Sequence, residues 1–212
     1  MQLLDLVGGD RFAWVRERSE IHQAAHRCGL HNAGGPVMHL VAAIARASHA
    51  RRVLDLGCGL GYSTLWLADA VGPDGVVIGI DEDDQHTAEA ERIATKAGFS
   101  NTVSYRTGRA VDVLSELTGT FDLIHDDAWF AIEPDHLELM LGLLEPGGVL
   151  TMANWFLLVD ALTGEPSNDW ESFAGPDWAA RTLAYAEQLA TRADLSISWI
   201  TKPPVGLATK LR

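Results

Sequence analysis

The sequence predicts an α/β fold in which a mostly parallel sheet is covered by helices on both faces. Three observations predict it. Between residues 53 and 153, short apolar runs alternate with amphipathic runs, as strands do with crossover helices. A glycine-rich turn, residues 57–61, follows the first of these strands. Two β-rich runs near the end, 195–201 and 205–211, lie too close for a crossover helix and should pair antiparallel at one edge.

Two helices are predicted before the first strand. In the first, the apolar residues that share one helical face are Trp14, Ile21, Ala24, Ala25 and Cys28, and Gly29 ends the segment. The second begins at Pro36, which suits the first helical position. Its apolar stripe consists of Val37, Leu40, Val41 and Ile44. We expect both helices to pack on the sheet or on a partner subunit.

The remaining elements follow in alternation. Strands are predicted over residues 53–56, 75–80, 102–106, 121–125, 149–153, 195–201 and 205–211. Helices are predicted over residues 63–71, 84–97, 110–117, 134–144 and 177–193. We expect a polar stretch, residues 160–175, to form a mobile cover over the site.

Length and composition limit the class of protein. The chain has 212 residues, 47% of them hydrophobic and 21% charged, which fits one globular domain over residues 1–212. A formal net charge of −13 makes nucleic acid an unlikely partner. No apolar run approaches the roughly 20 residues needed to cross a bilayer, and the start lacks a signal-peptide pattern. We therefore expect a soluble cytoplasmic protein.

The two cysteines, Cys28 and Cys58, predict reduced thiols rather than a disulfide framework. Neither has a partner in a Cys-x-x-Cys motif or a nearby cluster of histidines, so we do not expect a zinc site.

The glycine turn indicates where a ligand binds. Glycine lets a ligand approach the backbone, and ligands of doubly wound sheets lie at the carboxyl ends of the strands. The dinucleotide fingerprint needs a third glycine where this chain has Tyr62, which disfavours hydride transfer. Asp81 follows Gly61 by twenty residues, at the end of the second strand, where a carboxylate can accept hydrogen bonds from a ribose. The pattern favours binding of a nucleoside.

A family resemblance rests on these residues. The segment VLDLGCGLGYSTLWLA, residues 53–68, resembles the first motif of class I S-adenosylmethionine-dependent methyltransferases, and GYSTLWLA is similar to bacterial O-methyltransferases of the catechol and caffeoyl-CoA type. Residues 80–83, 107–114, 121–128 and 143–154 extend the resemblance. It implies a Rossmann-like, doubly wound, seven-stranded sheet with an antiparallel last strand. It also implies S-adenosylmethionine as cofactor, a small-molecule hydroxyl as acceptor, and a homodimer.

The resemblance also assigns roles to residues. The loop carrying Gly57, Gly59 and Gly61 would hold the methionine part of the cofactor, Asp81 the ribose, and residues 108–110 the adenine edge. The full set of cofactor-binding residues that it implies is Asp55, Gly57, Gly59, Gly61, Tyr62, Ser63, Asp81, Glu82, Gly108, Arg109, Ala110 and Asp127.

Relatives hold a divalent metal such as Mg²⁺ with two Asp and one Asn, and use a Lys as base. Asp127 matches the first Asp and Asn154 the Asn, but Ala153 stands at the second Asp position and Phe130 at the Lys position. With half the anionic protein charge, a hard cation should bind weakly, so metal dependence is doubtful.

For catalysis we expect Asp127 and His125, because a histidine at the end of the fourth strand titrates near neutral pH. A buried structural role for His125 is at least as good an interpretation. The tryptophans that flank the site, Trp129, Trp155, Trp170 and Trp178, would suit a flat apolar acceptor or ordinary packing.

The leading hypothesis is a methyltransferase that acts on a hydroxyl of a small aromatic or polyketide-like acceptor. The departures at Ala153 and Phe130 keep a second hypothesis open, a protein that binds S-adenosylmethionine without catalysis. A third, a tRNA-base methyltransferase, is disfavoured by the net charge of −13.

Overall fold

Seven strands form one sheet in the part of the chain that the computed structural model describes, residues 9–28, 30–128, 135–153 and 155–211. The strands are β1 (Arg52–Leu56), β2 (Val76–Asp81), β3 (Val103–Thr107), β4 (Phe121–Asp126), β5 (Leu144–Met152), β6 (Leu195–Thr201) and β7 (Pro204–Lys210). Their order across the sheet is β3-β2-β1-β4-β5-β7-β6. Strands β1 to β5 pair in parallel, and β7 is antiparallel to both β5 and β6. The predicted α/β class and the antiparallel last strand are confirmed.

The helices of the described residues connect these strands or precede them. They are α1 (Ala13–His26), α2 (Gly35–Ala47), α3 (Tyr62–Val71), α4 (Asp84–Ala97), α5 (Ala110–Glu116), α6 (His136–Leu143), α7 (Phe156–Thr163), α8 (Trp170–Ala174) and α9 (Trp178–Ala190). None of these helices is long and apolar enough to pass through a lipid bilayer.

The strand order reverses at β1, which lies between β2 and β4. Leu56, the last residue of β1, is in register with Ile80 of β2 and with Asp126 of β4. The carboxyl ends of all three strands therefore reach the same edge of the sheet. In open α/β sheets, this switch in strand order forms the crevice in which ligands bind.

The two faces of the sheet bury different helices, because successive side chains of a strand point to opposite faces. Val53 and Leu123 belong to the core that contains α2 and α3. Leu54 and Ile124, the next residue in each strand, belong to the core that contains α5, α6 and α9. The parallel strands are thus covered on both sides, as predicted.

The predicted apolar face of α1 is wrong. Trp14 is 38% exposed and Ile21 is 71% exposed, whereas Val15 and Ser19 are buried. Phe12, just before the helix, is also buried and packs edge-on against Trp66 of α3. The side of α1 that packs on the core is a narrow stripe formed by Val15 and Ser19, four residues apart. The large apolar residues of the helix therefore lie outside this stripe and face solvent.

Two element boundaries also differ from the prediction. The segment Pro146-Gly147-Gly148 was expected to separate a helix ending at 144 from a strand beginning at 149, yet β5 begins at Leu144. The register between β4 and β5 shifts at this place, so the proline and glycines form an irregularity within the strand. The expected polar cover, residues 160–175, contains the end of α7 and all of α8.

Candidate functional site

The loop after β1 is fastened to the end of β2. The backbone N–H groups of Gly57 and Cys58 both donate to the carbonyl oxygen of Ile80, at 2.8 and 3.0 Å. Gly61 N–H donates to Cys58 O at 2.8 Å, which closes the turn into α3. The loop therefore lies directly over the point where β1 and β2 end.

Its three glycines have conformations that other residues rarely adopt. The φ angles of Gly57, Gly59 and Gly61 are +75°, +51° and +87°. A Cβ on Gly57 would lie 2.9 Å from the carbonyl carbon and oxygen of Asp127, which cannot rotate away. A Cβ on Gly61 would lie 2.6 Å from the Tyr105 hydroxyl oxygen. The loop can take this close-packed course only with glycine.

Asp81 ends β2 and holds this loop from the side. Its Oδ2 accepts a hydrogen bond from Gly59 N–H at 2.9 Å, and its Oδ1 accepts one from Asp83 N–H at 3.1 Å. The ring nitrogen Nδ1 of His86 lies 3.0 Å from the same Oδ1. This hydrogen bond is the main reason why the pKa of His86 is raised to about 9. His86, which the sequence analysis missed, therefore orients the Asp81 carboxylate.

The turn before α5 joins the same cluster. Gly108 N–H donates to the backbone carbonyl of Asp81 at 2.9 Å, Arg109 precedes the first helical residue, and Ala110 begins α5. Glu82, next to Asp81, is exposed at the rim. The structure thus brings together the three predicted segments: the glycine loop, the end of β2 and residues 108–110.

Three predicted cofactor-binding side chains point elsewhere. Asp55 is fully buried, and its Oδ2 accepts hydrogen bonds from the hydroxyls of Ser63 and Thr64. Burial raises the pKa of Asp55 to about 7. The Tyr62 hydroxyl donates to Asp10 Oδ2 at 2.8 Å. The side chains of Asp55, Tyr62 and Ser63 thus fix α3 to β1 and to the amino-terminal segment, because a strand–turn–helix joint needs its own internal hydrogen bonds.

Asp127 lies just past β4, half-buried, and its N–H donates to Leu56 O at 2.9 Å. Asp126 is fully buried on the other face, where its Oδ2 lies 3.3 Å from His136 Nε2. Asp126 therefore cannot replace a missing ligand beside Asp127. Phe130, Trp129 and Asn154 lie outside the described residues.

The donor set does not fit the family's divalent cation. Ala153 occupies the second carboxylate position, is buried and packs within the core on the α2 and α3 side. An alanine methyl offers no ligand atom, so among the described residues Asp127 is the one carboxylate that the resemblance leaves in the ligand set. Hard cations prefer several oxygen ligands, and a site with one carboxylate lacks the charge that they need.

His125 is not at the surface of the site. It is fully buried, its Nδ1 lies 2.8 Å from the Thr151 hydroxyl oxygen, and its Nε2 has no hydrogen-bond partner among the described residues. Burial lowers its pKa to about 4. The geometry favours the structural interpretation of His125 over the role of general base.

The expected mobile cover is held by a buried carboxylate. Asp160 Oδ2 accepts hydrogen bonds from the Ser167 N–H and hydroxyl and from the Trp170 indole N–H, at 2.7, 2.6 and 2.6 Å. Trp170 also packs against Phe156 and Trp178. These contacts form an aromatic wall in the segment that follows β5, and its mobility stays a prediction.

Both cysteines carry free thiols, as predicted. Cys58 is buried in the glycine loop, whereas Cys28 is half-buried beside two histidines.

Comparison with known proteins places this geometry in a family. Residues 47–195 match the model of a family described as a methyltransferase domain. A catechol O-methyltransferase of Niastella koreensis is 34% identical over 115 residues, 52% of each chain, so this chain matches about half the length of that relative. A protein of Mycobacteroides abscessus, whose name contains the term O-methyltransferase, is 32% identical over 78% of this chain and 79% of its own.

A solved structure of an O-methyltransferase has the same fold as this chain. The O-methyltransferase TomG from Streptomyces achromogenes, described as involved in tomaymycin synthesis and solved in complex with S-adenosylmethionine, superposes with a TM-score of 0.77. It is 27% identical, and the match covers 93% of this chain and 90% of TomG.

Proposed function

The chain belongs to the S-adenosylmethionine-dependent O-methyltransferases, and we propose that it methylates a hydroxyl group of a small aromatic or polyketide-like acceptor. The observation that carries the proposal is the convergence of the glycine loop, Asp81 and residues 108–110 at one edge of the sheet, with Asp127 beside them. The name of the Niastella relative, a catechol O-methyltransferase, supports an aromatic hydroxyl as the acceptor.

The residues present fit S-adenosylmethionine. Asp81 accepts hydrogen bonds from the chain, yet its two oxygens offer about four lone-pair sites in all, which leaves capacity for a ribose hydroxyl. Helix α3 begins at Tyr62, after Gly61 and without a side-chain cap, so its first N–H groups suit the cofactor carboxylate. Glu82, Arg109 and Ala110 would line the adenine. When bound, the cofactor supplies a methyl group attached to a positively charged sulfur.

The side chain that we assign to the chemistry is Asp127. Its backbone is fixed by the hydrogen bond to Leu56 and lies against Gly57, and the residue is half-buried just past β4, where we place the acceptor. There it would accept the hydrogen bond of the acceptor hydroxyl and position its oxygen. Because the donor set around Ala153 does not fit Mg²⁺, we propose that the reaction proceeds without a divalent cation.

Three further expectations belong to the same proposal: one methyltransferase domain, a cytoplasmic location, and a homodimer formed through the amino-terminal helices. The exposed Trp14 and Ile21, seven residues apart on one face of α1, support the last of them.

A radiolabel-transfer assay tests this proposal. Purified protein receives methyl-labelled cofactor and a panel of catechols, phenols and hydroxylated polyketides, first with Mg²⁺ and then with EDTA. We expect transfer to a hydroxyl of one acceptor class, with rates that differ by less than about twofold between the two conditions. Asp127→Asn should lower kcat by about 100-fold or more, because positioned proton acceptors contribute that much. Asp135→Asn, an exposed residue that caps nothing with its side chain, should not change it.

A rate that EDTA abolishes and Mg²⁺ restores would contradict the metal-independent mechanism. Tight cofactor binding without transfer to any acceptor would favour the second candidate, a binding protein without catalysis, which the alanine at position 153 supports.

A further inference from the structure

We propose that His22, Cys28 and His86 form a binding site for a divalent transition metal of the zinc type. His22 belongs to α1, Cys28 follows the end of that helix, and His86 belongs to α4. One ligand atom from each residue lies within 4.8 Å of the other two. The site is separate from Asp127 and requires no assumption about methyl transfer.

The chain turns sharply to build this cluster. Arg27 ends α1 in the left-handed conformation, with φ +51°, although it is not a glycine. This turn returns Cys28 toward His22, more than one helical turn earlier. The rings of His22 and His86 meet edge to face, with centroids 5.2 Å apart.

His86 is oriented as a metal ligand. Its Nδ1 is hydrogen-bonded to Asp81, so its Nε2 is directed away from that carboxylate. The residue is 6% exposed, and Nε2 has no hydrogen-bond partner in the described part of the chain. The thiol of Cys28 lies beside this ring. Metal-bound histidines almost always donate their other ring N–H to a carboxylate or carbonyl, which is the arrangement here.

The ligand types select the metal. Two imidazoles and a thiolate are typical of zinc, whereas Mg²⁺ and Ca²⁺ prefer oxygen. With metal–ligand distances of about 2.0–2.3 Å, tetrahedral ligand atoms lie about 3.5 Å apart, so the three groups need to move by only about 1 Å. On binding, metal–sulfur and metal–nitrogen bonds form, and the Cys28 thiol proton and the proton on His86 Nε2 leave to solvent. Asp83 Oδ2, 3.6 Å from His86 Nε2, adds negative charge nearby.

A fourth position remains open. His22 and His26 line a cleft of about 790 Å³ between α1 and α4, and their rings are tilted by 31° with centroids 4.3 Å apart. Three protein ligands would leave the cleft side of the metal to water. The site would join α1 to α4 and, through His86, to the carboxylate that we assign to the ribose.

Cobalt spectroscopy on the full-length chain tests this inference. After treatment with a chelator and its removal, Co²⁺ should bind at one equivalent and give a thiolate-to-cobalt charge-transfer band, which Zn²⁺ then abolishes by displacement. Cys28→Ser should remove the band, and His22→Asn should weaken zinc binding by about 100-fold or more. Both residues are half-buried rather than in the core, so both variants should fold, and circular dichroism checks this.

Two matched variants serve as controls. Cys58→Ala removes the other thiol, and His49→Asn removes an exposed histidine with φ +54° that asparagine tolerates. Both should retain the band and the wild-type zinc affinity. The inference is overturned if wild-type protein shows no charge-transfer band with Co²⁺, or if Cys28→Ser and His22→Asn bind zinc as tightly as wild type does.

Discussion

We assign the cofactor to the side of the sheet that comprises residues 57–61, 81 and 108–110, the cofactor side, where backbone atoms make most of the contacts that shape the site. We assign the acceptor to the side that comprises Asp127, Ala153, α7 and α8, the acceptor side, where side chains make them. The cofactor side has glycines at positive φ that pack against neighbouring strands. The acceptor side has a carboxylate, an alanine at a ligand position and an aromatic wall held by Asp160. Backbone-built regions tolerate little change of sequence, whereas side-chain-built regions can change their chemistry without change of fold.

The largest effect that this comparison predicts is for Gly57→Ala. The new Cβ would lie 2.9 Å from the backbone of Asp127 at a φ of +75°. We expect cofactor binding to be lost and the free energy of unfolding to fall by about 2 kcal/mol or more. Both the backbone strain at this positive φ and the close contact with Asp127 destabilise the folded loop. Calorimetry and urea unfolding measure the two quantities.

Gly142→Ala is the matched control, because a Cβ there meets nothing within 4 Å. It should leave cofactor binding at its wild-type value and should not lower the free energy of unfolding, because alanine favours a helix over glycine by up to about 1 kcal/mol. If Gly57→Ala binds the cofactor within twofold of wild type, the cofactor side does not depend on its backbone as described.

The next effect is for Asp81→Asn, which keeps the shape of the side chain and removes its charge. Hydrogen bonds to charged groups contribute about 1.5–3 kcal/mol, so the Kd for S-adenosylmethionine should rise by roughly 10- to 100-fold. Asp74→Asn, an exposed residue on the loop before β2, should leave the Kd unchanged. If the Asp81 and Asp74 variants bind S-adenosylmethionine with equal affinity, the negative charge of Asp81 does not contribute to cofactor binding.

The smallest effect concerns the boundary between the two sides, where Asp55 and His125 are cross-strand neighbours. Burial lowers the pKa of His125 from 6.5 to about 4, so its contribution to stability is present above pH 6.5 and is lost as the pH falls toward 4. Burial raises the pKa of Asp55 from 3.8 to about 7, so its contribution is present below pH 3.8 and is lost as the pH rises toward 7. Between pH 4 and 6.5, therefore, His125 makes the free energy of unfolding of the wild type rise with pH, and Asp55 makes it fall.

The substitution His125→Asn removes the pH dependence of stability that is due to His125, and the asparagine can keep the hydrogen bond to Thr151. The stability gap between wild type and variant should widen as the pH rises from 4 to 6.5, by up to about 1.4 kcal/mol per pH unit. Urea unfolding across this range measures the gap. A constant gap for His125→Asn would mean that His125 is protonated in the folded protein.

The sequence predicted which segments of the chain come together better than it predicted which side chains meet, for a physical reason. Glycine spacing and an acidic residue at a strand end have geometric meaning before the fold is known. The partners of Asp55 and Asp160 are hydrogen bonds between segments, which no local spacing specifies.

The same limit explains the errors on α1. A helical stripe was expected to be buried because it is apolar, yet Ile21 is exposed and the buried stripe contains Ser19. Likewise, His22 and Cys28 are near each other in sequence, but His86 comes to them only through the packing of α1 against α4. The spacing His22-x3-His26-x-Cys28 was the signal available, and it is weak without the third element.

Hydrogen exchange with and without S-adenosylhomocysteine tests the central claim most directly. Ligand bound where β1 and β2 end should slow exchange at the amides of residues 57–63, 81–83 and 108–110, and leave α9 and β6 unchanged. Protection confined to other segments, or no protection at saturating ligand, would contradict the account.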